Sequence, residues 1–352
     1  MPQIEIKGLR SLAKEKTAKF ESIKKKYYPN SNPQPFQDST WLYIRSLDGD
    51  DGSRPLPSGI FWQSPDIEIF SRTGENIDKL EVGGEFRVQV TIRNRGDLHA
   101  HACTVELYLC DPAIGSAISS PTTHFLAMQS TSVSSGGTSV AEFLFVAQPE
   151  FAGHKCMFAR VHSVLNRELP LNVGMLDPIN DRHDAQQNLT IATEGEIIRM
   201  SIAMPQMGDN NFMFMVQATT FSEKTWPQKR FRNFKFLTKK KAEVFEKGFV
   251  LLADKEQEEI AYGPNAPLVK MTEALAKQYN LDLKKLPAKF MLMRGNTGWN
   301  LSFTNKAKSG TFVGHLSVPQ MNLSKGQAAI FLVYAVNSTK RVFGGFTMMV
   351  KG

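Results

Sequence analysis

Long stretches of the chain alternate apolar and polar residues. Phe86, Val88, Val90 and Ile92 alternate with Arg87, Gln89, Thr91 and Arg93. A period of two puts one strand face in a core and the other in water. Cys103, Val105, Leu107 and Leu109 alternate with Thr104, Glu106, Tyr108 and Cys110 in the same way. Further strands are predicted at 41–45 (WLYIR), 142–147 (EFLFVA), 157–164 (MFARVHSV) and 188–193 (NLTIAT), the last closing a first sandwich. Gly83-Gly84 and the run Ser134–Gly137 punctuate them. Short strands at turn-punctuated spacing predict a sandwich or barrel.

The second half repeats the theme. FMFMVQATTF (212–221), WNLSFTN, GTFVGHLSVPQ, GQAAIFLVYAV and VFGGFTMMV read as strands with glycine turns. Between them Leu268, Met271, Leu275 and Tyr279 recur at helical spacing behind Pro264 and Pro267, which predicts a helical insertion over about 238–290. Near the start, Leu9, Leu12, Ala13, Phe20 and Ile23 form a thin helical stripe on a lysine-rich segment, and three prolines within 27–36 mark a linker. The fold class expected is all-β. A basic helical arm and linker (1–40) precede a sandwich (41–197) and a second sandwich with a helical insertion (198–352).

PDIEIF (65–70), VGGEFRVQVTIRNRG (82–96) and the strand end LYLCDP (107–112) resemble the bacterial Ig-like domain associated with cell adhesion. The resemblance covers about 130 residues, roughly 61–193, and implies an Ig-like β-sandwich, with a second Ig-like unit after it. Glycines 83, 84 and 96 suit tight turns, and Asn94 suits a corner where a side chain bonds local backbone. The resemblance speaks to fold more than function, because such sandwiches serve as spacers, adhesins and appended modules.

With 352 residues, 41% hydrophobic and 22% charged, the chain has material for two cores and is not of disordered composition. Its net charge of +8 is uneven. Residues 1–28 carry eight Lys/Arg against three Glu, a net +5. Residues 224–247 carry nine against two, a net +7, which leaves the remainder at −4. An acidic surface on a partner would meet those two segments first. No run approaches 18 apolar residues, so no membrane span is expected. The first twenty residues lack an apolar core of the secretory type. The expected location is extracellular or particle-associated without a secretory leader, and cytoplasmic before release.

Chemistry-bearing motifs are sparse. His99, His101 and Cys103 share an i, i+2 spacing that puts them on one strand face, a possible transition-metal patch. Asp48, Asp50 and Asp51 invite calcium, but Gly52 and Ser53 stand where an EF-hand loop wants an acid and a glycine. Asp181, His183 and Asp184 place a histidine between carboxylates, which could be a base with an orienting acid or a turn bonding its own backbone. No phosphate-cradling glycine loop and no nucleophile elbow is present, and no cofactor is expected. Cys103 and Cys110, seven apart, face opposite sides of a strand, whereas Cys156 is free to pair with either.

The basic-aromatic run 224–247 is the candidate binding segment. Trp226, Lys229, Arg230, Arg232, Lys235, Lys239, Lys240 and Lys241 are its residues. Stacking faces interleaved with cations suit an acidic protein surface or single-stranded nucleic acid. A plain strand with Phe234 and Phe236 inward and Lys235 outward accounts for much of the same pattern. The function expected is non-catalytic binding in surface adhesion or assembly, as a component or cargo of a phage-tail-like contractile injection particle, with a protein partner. The alternatives are an injected toxin or hydrolase with its site in the second sandwich or the Asp181–Asp184 loop, and a nucleic-acid binder using 224–241.

Overall fold

The computed structural model describes residues 38–57, 60–74, 82–114, 116–120, 123–151, 155–203, 211–220, 234–254, 268–270, 274, 277, 290–293, 298–302, 311–337 and 339–352. The expected basic arm and linker, and Trp226, Lys229, Arg230 and Arg232, lie outside them.

The first half supplies β1 (Leu42–Tyr43), β2 (Ile67–Ser71), β3 (Glu85–Asn94), β4 (Ala100–Cys110), β5 (Ala113–Ile114), β6 (Ser116–Ala117), β7 (Thr123–Val133), β8 (Thr138–Val146), β9 (Cys156–His162), β10 (Met175–Leu176) and β11 (Asp184–Gln187). In one sheet β3 pairs along one edge with β8 and along the other with β1 and β2. The facing sheet runs β11-β9-β4-β7. Alternation sets the layers: Phe86, Val88, Val90 and Ile92 meet Val105, Leu107, Met157, Ala159 and Val161 in one core. A small ribbon of β6 and β10 accompanies a second cluster of Tyr108, Cys110, Cys156, Phe158 and Leu176. Cys103 belongs to the first cluster and Cys110 to the second, so they do face opposite sides of β4.

The residues of the resemblance have identifiable work in this sheet pair. The Asp66 carboxylate is buried and accepts from the Arg45 and Arg93 guanidiniums at 2.7–3.1 Å, tying β2 to β3 and to the chain beyond β1. Burial opposes the charge, but hydrogen bonds from Arg93 and Arg45 overcome it and hold the carboxyl below its ordinary range. Asn94 Oδ1 accepts from the Trp41 and Gly96 N–H groups, and its Nδ2 donates to the Leu98 carbonyl. A Cβ at Gly96 would stand 2.1 Å from the Ser39 carbonyl oxygen, so only glycine lets the two chain segments touch there.

The second half supplies β12 (Leu189–Thr193), β13 (Ile197–Ala203), β14 (Asn211–Thr219), β15 (Lys235–Phe236), a one-turn helix α1 (Lys239–Ala242), β16 (Val250–Asp254), β17 (Leu268–Lys270), β18 (Phe290–Met293), β19 (Gly298–Ser302), β20 (Thr311–Ser317), β21 (Gln327–Asn337) and β22 (Val342–Lys351). One sheet runs β12-β22-β21-β14-β19 with β15 beside β21, and the other runs β17-β18-β16-β20-β13-β5. Phe212, Phe214, Phe249, Leu251, Trp299, Leu316, Phe331 and Phe346 fill the core between them.

The all-β expectation holds, with three corrections. NLTIAT does not close the first sandwich: β12 lies parallel to β22, in the other sheet pair. The helical insertion expected over 238–290 is part helix and part strand where it is described. Helix is limited there to α1, the 3-10 turn Glu243–Gly248 and the helical positions Ala274 and Lys277, while β16, β17 and β18 extend a sheet. Leu268 has a cross-strand partner in Met293, so strand replaces the expected helix over Leu268–Lys270. The strand expected at 157–164 stops at His162, because Ser163 turns back to pair with Glu168.

The two sheet pairs are joined through side chains and strands alike. β5 lies parallel to β13 in the far sheet. Trp62, Phe61, Leu56 and Ile179 cluster with Leu332, Tyr334, Val342 and Phe343, and Trp62 Nε1 donates to Thr347 Oγ1 at 2.9 Å. A Cβ at Gly345 would fall 2.7 Å from the Trp62 ring, so this glycine makes the seat for the indole.

Candidate functional site

At the end of β9 the chain reverses in four residues, Val164 to Arg167. Ser163 and Glu168 exchange backbone hydrogen bonds at 2.7 and 2.9 Å. Arg167 takes a left-handed φ of 59° and its N–H reaches the Val164 carbonyl, which closes the turn. Asn166 ties the turn to its neighbour: its Oδ1 accepts from the His101 N–H at 3.0 Å. Ser163 Oγ lies 2.9 Å from both the His101 carbonyl and Asn166 Oδ1.

From this turn to β10 the segment presents aliphatic side chains to water. Val164, Leu165, Leu169, Leu171 and Val173 are between 52% and 79% exposed. Five such residues within ten positions form a concentration of apolar surface that soluble proteins keep for contacts.

Beneath them lies a buried ionic network. Glu168 accepts from Thr40 Oγ1 at 3.0 Å, from Arg182 Nη2 at 2.7 Å, and lies 3.0 Å from His183 Nε2. The other ring nitrogen, Nδ1, is 2.7 Å from Asp181 Oδ1. Asp181 also accepts from the Leu171 N–H, inside the apolar strip. The Arg182 guanidinium sits 3.9 Å over the Trp41 ring. A second pair lies alongside: Arg160 Nε and Nη2 donate to the two Asp184 oxygens at 2.7 and 2.8 Å. The same guanidinium donates to the carbonyls of Asn172, Val173 and Met175. The middle of the apolar strip, through Glu168, and its far end, through Leu171, Asn172 and Val173, are therefore fastened to buried charges.

The electrostatics follow from this geometry. Burial works against a charged His183, yet hydrogen bonds to Asp181 and Glu168 outweigh it and raise its pKa. Burial likewise opposes the Asp181 and Glu168 anions, and their bonds to His183 bring both below their ordinary values. Burial pushes the Asp184 carboxyl up to about 6 against the pull of Arg160, so it is the anion at neutral pH. Arg160 is correspondingly raised above its ordinary value.

Of the three residues singled out at 181–184, the structure brings Asp181 and His183 together, while Asp184 turns to Arg160. His183 is 2% exposed with both ring nitrogens engaged, so neither faces a place where a substrate could sit. It is a charged strut between two carboxylates. Glu168, Arg160 and Thr40, which complete the arrangement, carried no sequence signal, because their partners are distant along the chain. The apolar strip did carry one: five aliphatics stand among Asn166, Pro170, Asn172 and Gly174, and Pro170 inside the Leu169-Leu171-Val173 alternation argues against a paired strand.

The metal readings do not assemble. The His99 and His101 rings do meet, with centroids 4.1 Å apart, but Cys103 leaves them. Ala102 has a φ of 47° at a β-bulge, which breaks the alternation and turns Cys103 into the core with its thiol toward the Ala100 carbonyl. Asp50 accepts from Arg54 and the Ser46 and Gly52 N–H groups, and Asp51 from Arg95 and Ser53. Asp48 points to Arg45 at 3.9 Å, so the three carboxylates serve separate partners. Among the described residues no three His, Cys, Asp or Glu side chains converge as metal ligands. In the basic segment Lys235, Lys239, Lys240 and Lys241 are exposed, and Phe234 and Phe236 pack on Ala328, Ile330 and Met349.

A half-open cavity of about 570 Å3 lies at the other end of β3, lined by Arg72, Glu85, Phe86, Arg87, Leu144 and Val146 among others. Its charges are spoken for: Arg72 is 3.5 Å from Glu85, and Arg87 is 3.7 Å from Glu142.

No family model matches the chain, and no curated protein does. Solved structures do. The CARDB domain of a Pyrococcus furiosus protein, crystallised with metal ions, is 16% identical over 35% of this chain and 88% of that one, with a TM-score of 0.24. The C-terminal domain of wzt is 10% identical over 44% of this chain and 77% of its own, with a TM-score of 0.23. A β-glucosidase from Listeria innocua is 19% identical over 28% of this chain and 15% of its own, with a TM-score of 0.18. The likeness is to a coarse Ig-like or β-sandwich kind and bears on nothing finer. Among the described residues no helix is long and apolar enough to cross a membrane.

Proposed function

We propose that this chain is a non-catalytic binding protein of surface adhesion or assembly, and that the segment Val164–Val173 makes the contact. The observation that supports it is the pairing of opposites in one loop. Five aliphatic side chains stand in water on a backbone held by buried ion pairs. Each Leu or Val removed from water contributes about 1.5–3 kcal/mol, which docking would recover. Holding the loop in advance cuts the entropy that docking must otherwise overcome. The occupant is a protein surface with an apolar recess. Within this reading the chain is a component or cargo of a phage-tail-like contractile injection particle, and the adhesion-type strand pattern of residues 65–112 supports the binding role rather than that setting. The exposed lysines at 235 and 239–241 add a secondary attraction for an acidic partner.

The test is sedimentation of assemblies from producing cells. Wild-type chain is expected to travel with the heavy fraction. A chain carrying Leu165→Ser, Leu169→Ser and Leu171→Ser is expected to remain at the top of the gradient with an unchanged far-ultraviolet spectrum. Wild-type protein that stays unassociated, or a serine variant that still travels with the assemblies, would overturn the proposal.

A further inference from the structure

The second cluster of the first sheet pair holds two thiols in register. Cys110 ends β4 and Cys156 begins β9, and the two are directly opposite each other in the antiparallel ladder. Residues so placed have Cβ atoms about 4.5–5.5 Å apart, just beyond the span of a disulfide, which a small shift of the strand ends closes. The Cys110 thiol donates to the Cys156 carbonyl oxygen at 3.8 Å, and both side chains belong to one buried cluster. Both are fully buried and unbridged. The third cysteine, Cys103, lies in the other cluster on the far side of β4 and has neither as a neighbour across the ladder.

We propose that Cys110 and Cys156 are a modification site: they form a reversible cross-strand disulfide when the protein meets a small disulfide oxidant. The step balances as a two-electron exchange. One thiol, deprotonated, attacks the oxidant's S–S bond, forms a mixed disulfide and releases one small thiolate. The second then attacks the protein sulfur of that mixed bond, closes Cys110–Cys156 and releases the other. The two protein protons end on the two small thiols.

Their place in the fold sets the rate. Burial and the neighbouring thiol raise the Cys110 pKa, so the attacking thiolate is scarce and the reaction is slow. The route in is the strand end. The next residues outward, Asp111 and Lys155, form a 2.6 Å ion pair at that end, with Arg199 of β13 3.3 Å from the same aspartate. Gln186 Nε2 touches Cys156 Sγ at 3.6 Å and the Gly345 carbonyl at 3.4 Å, so the bridge would form beside the junction of the two sheet pairs.

The experiment uses the folded full chain and oxidised glutathione at neutral pH over hours. It is followed by alkylation, cleavage after Glu106 and non-reducing mass spectrometry. Reactive thiols are expected to fall from three to one, with the Cys110 peptide linked to the Cys156 peptide and Cys103 alkylated. Dithiothreitol is expected to restore all three. Cys156→Ser is expected to lose the internal link, leaving Cys110 reduced or carrying one glutathione. Three thiols that persist, a link through Cys103, or a glutathione on each of Cys110 and Cys156 would overturn the proposal.

Discussion

His183 shows how a catalytic residue type can serve structure. A histidine with carboxylates on both ring nitrogens is a cation fixed in place, and removing it leaves Asp181 and Glu168 buried without their shared partner. His183→Ala is expected to destabilise the chain by about 3–5 kcal/mol, read by denaturant unfolding. The pH response is more specific. Folding raises the His183 pKa above its ordinary 6.5, so its stabilisation is complete below that pH and is lost as pH climbs through the folded value. Asp181 and Glu168 are lowered from 3.8 and 4.5, so theirs is complete above those values and lost as pH falls through the folded ones. Asp184 is raised to about 6, so what it adds is already gone above that. Between pH 6.5 and 9 the wild-type Tm is therefore expected to fall, and the Tm of His183→Gln to stay flat. Parallel curves would exclude His183 as the titrating strut.

At the scale of elements, legibility followed the range of the forces. β3 and β4 were readable because each has one face in a core and one in water, and the alternation records that directly. Asn94 and Gly96 are readable as corner and turn residues, but the ion pairs of Asp66 and the 2.1 Å approach to Ser39 are not. β7 was not recognised. Its Phe125 and Met128 are exposed, and its burial lacks the alternation that would mark a half-buried strand. β12 reads as a strand, but its sheet is not legible, because its partner β22 is about 160 residues away and lies parallel to it. The helical spacing from Leu268 gives way to strand at Leu268–Lys270, where β18 pairs alongside, while Ala274 and Lys277 are helical. The candidate loop is legible only in part: its aliphatics and turn residues stand in the sequence, but a long-range ionic network decides that they face water.

At the scale of the molecule, the two sheet pairs are coupled through Trp62, which is buried against Gly345 and bonded to Thr347. Gly345→Val would drive a side chain into that ring. It is expected to lower the unfolding midpoint and to increase tryptophan exposure to a soluble quencher such as iodide, whereas a change to valine with no such effect would mean that the indole does not seat there. The coupling gives the loop at 163–173 a rigid body to stand on, and the same body carries the Cys110–Cys156 pair near the junction. In the proposed function the whole presents one apolar strip. Hydrogen exchange of the full chain, free and within its assembly, tests this most directly. Amides from Val164 to Val173 are expected to slow on association, while those around Arg72 and Leu144 keep their free rates. Protection at the cavity or along Lys235–Lys241 with none at Val164–Val173 would contradict the account.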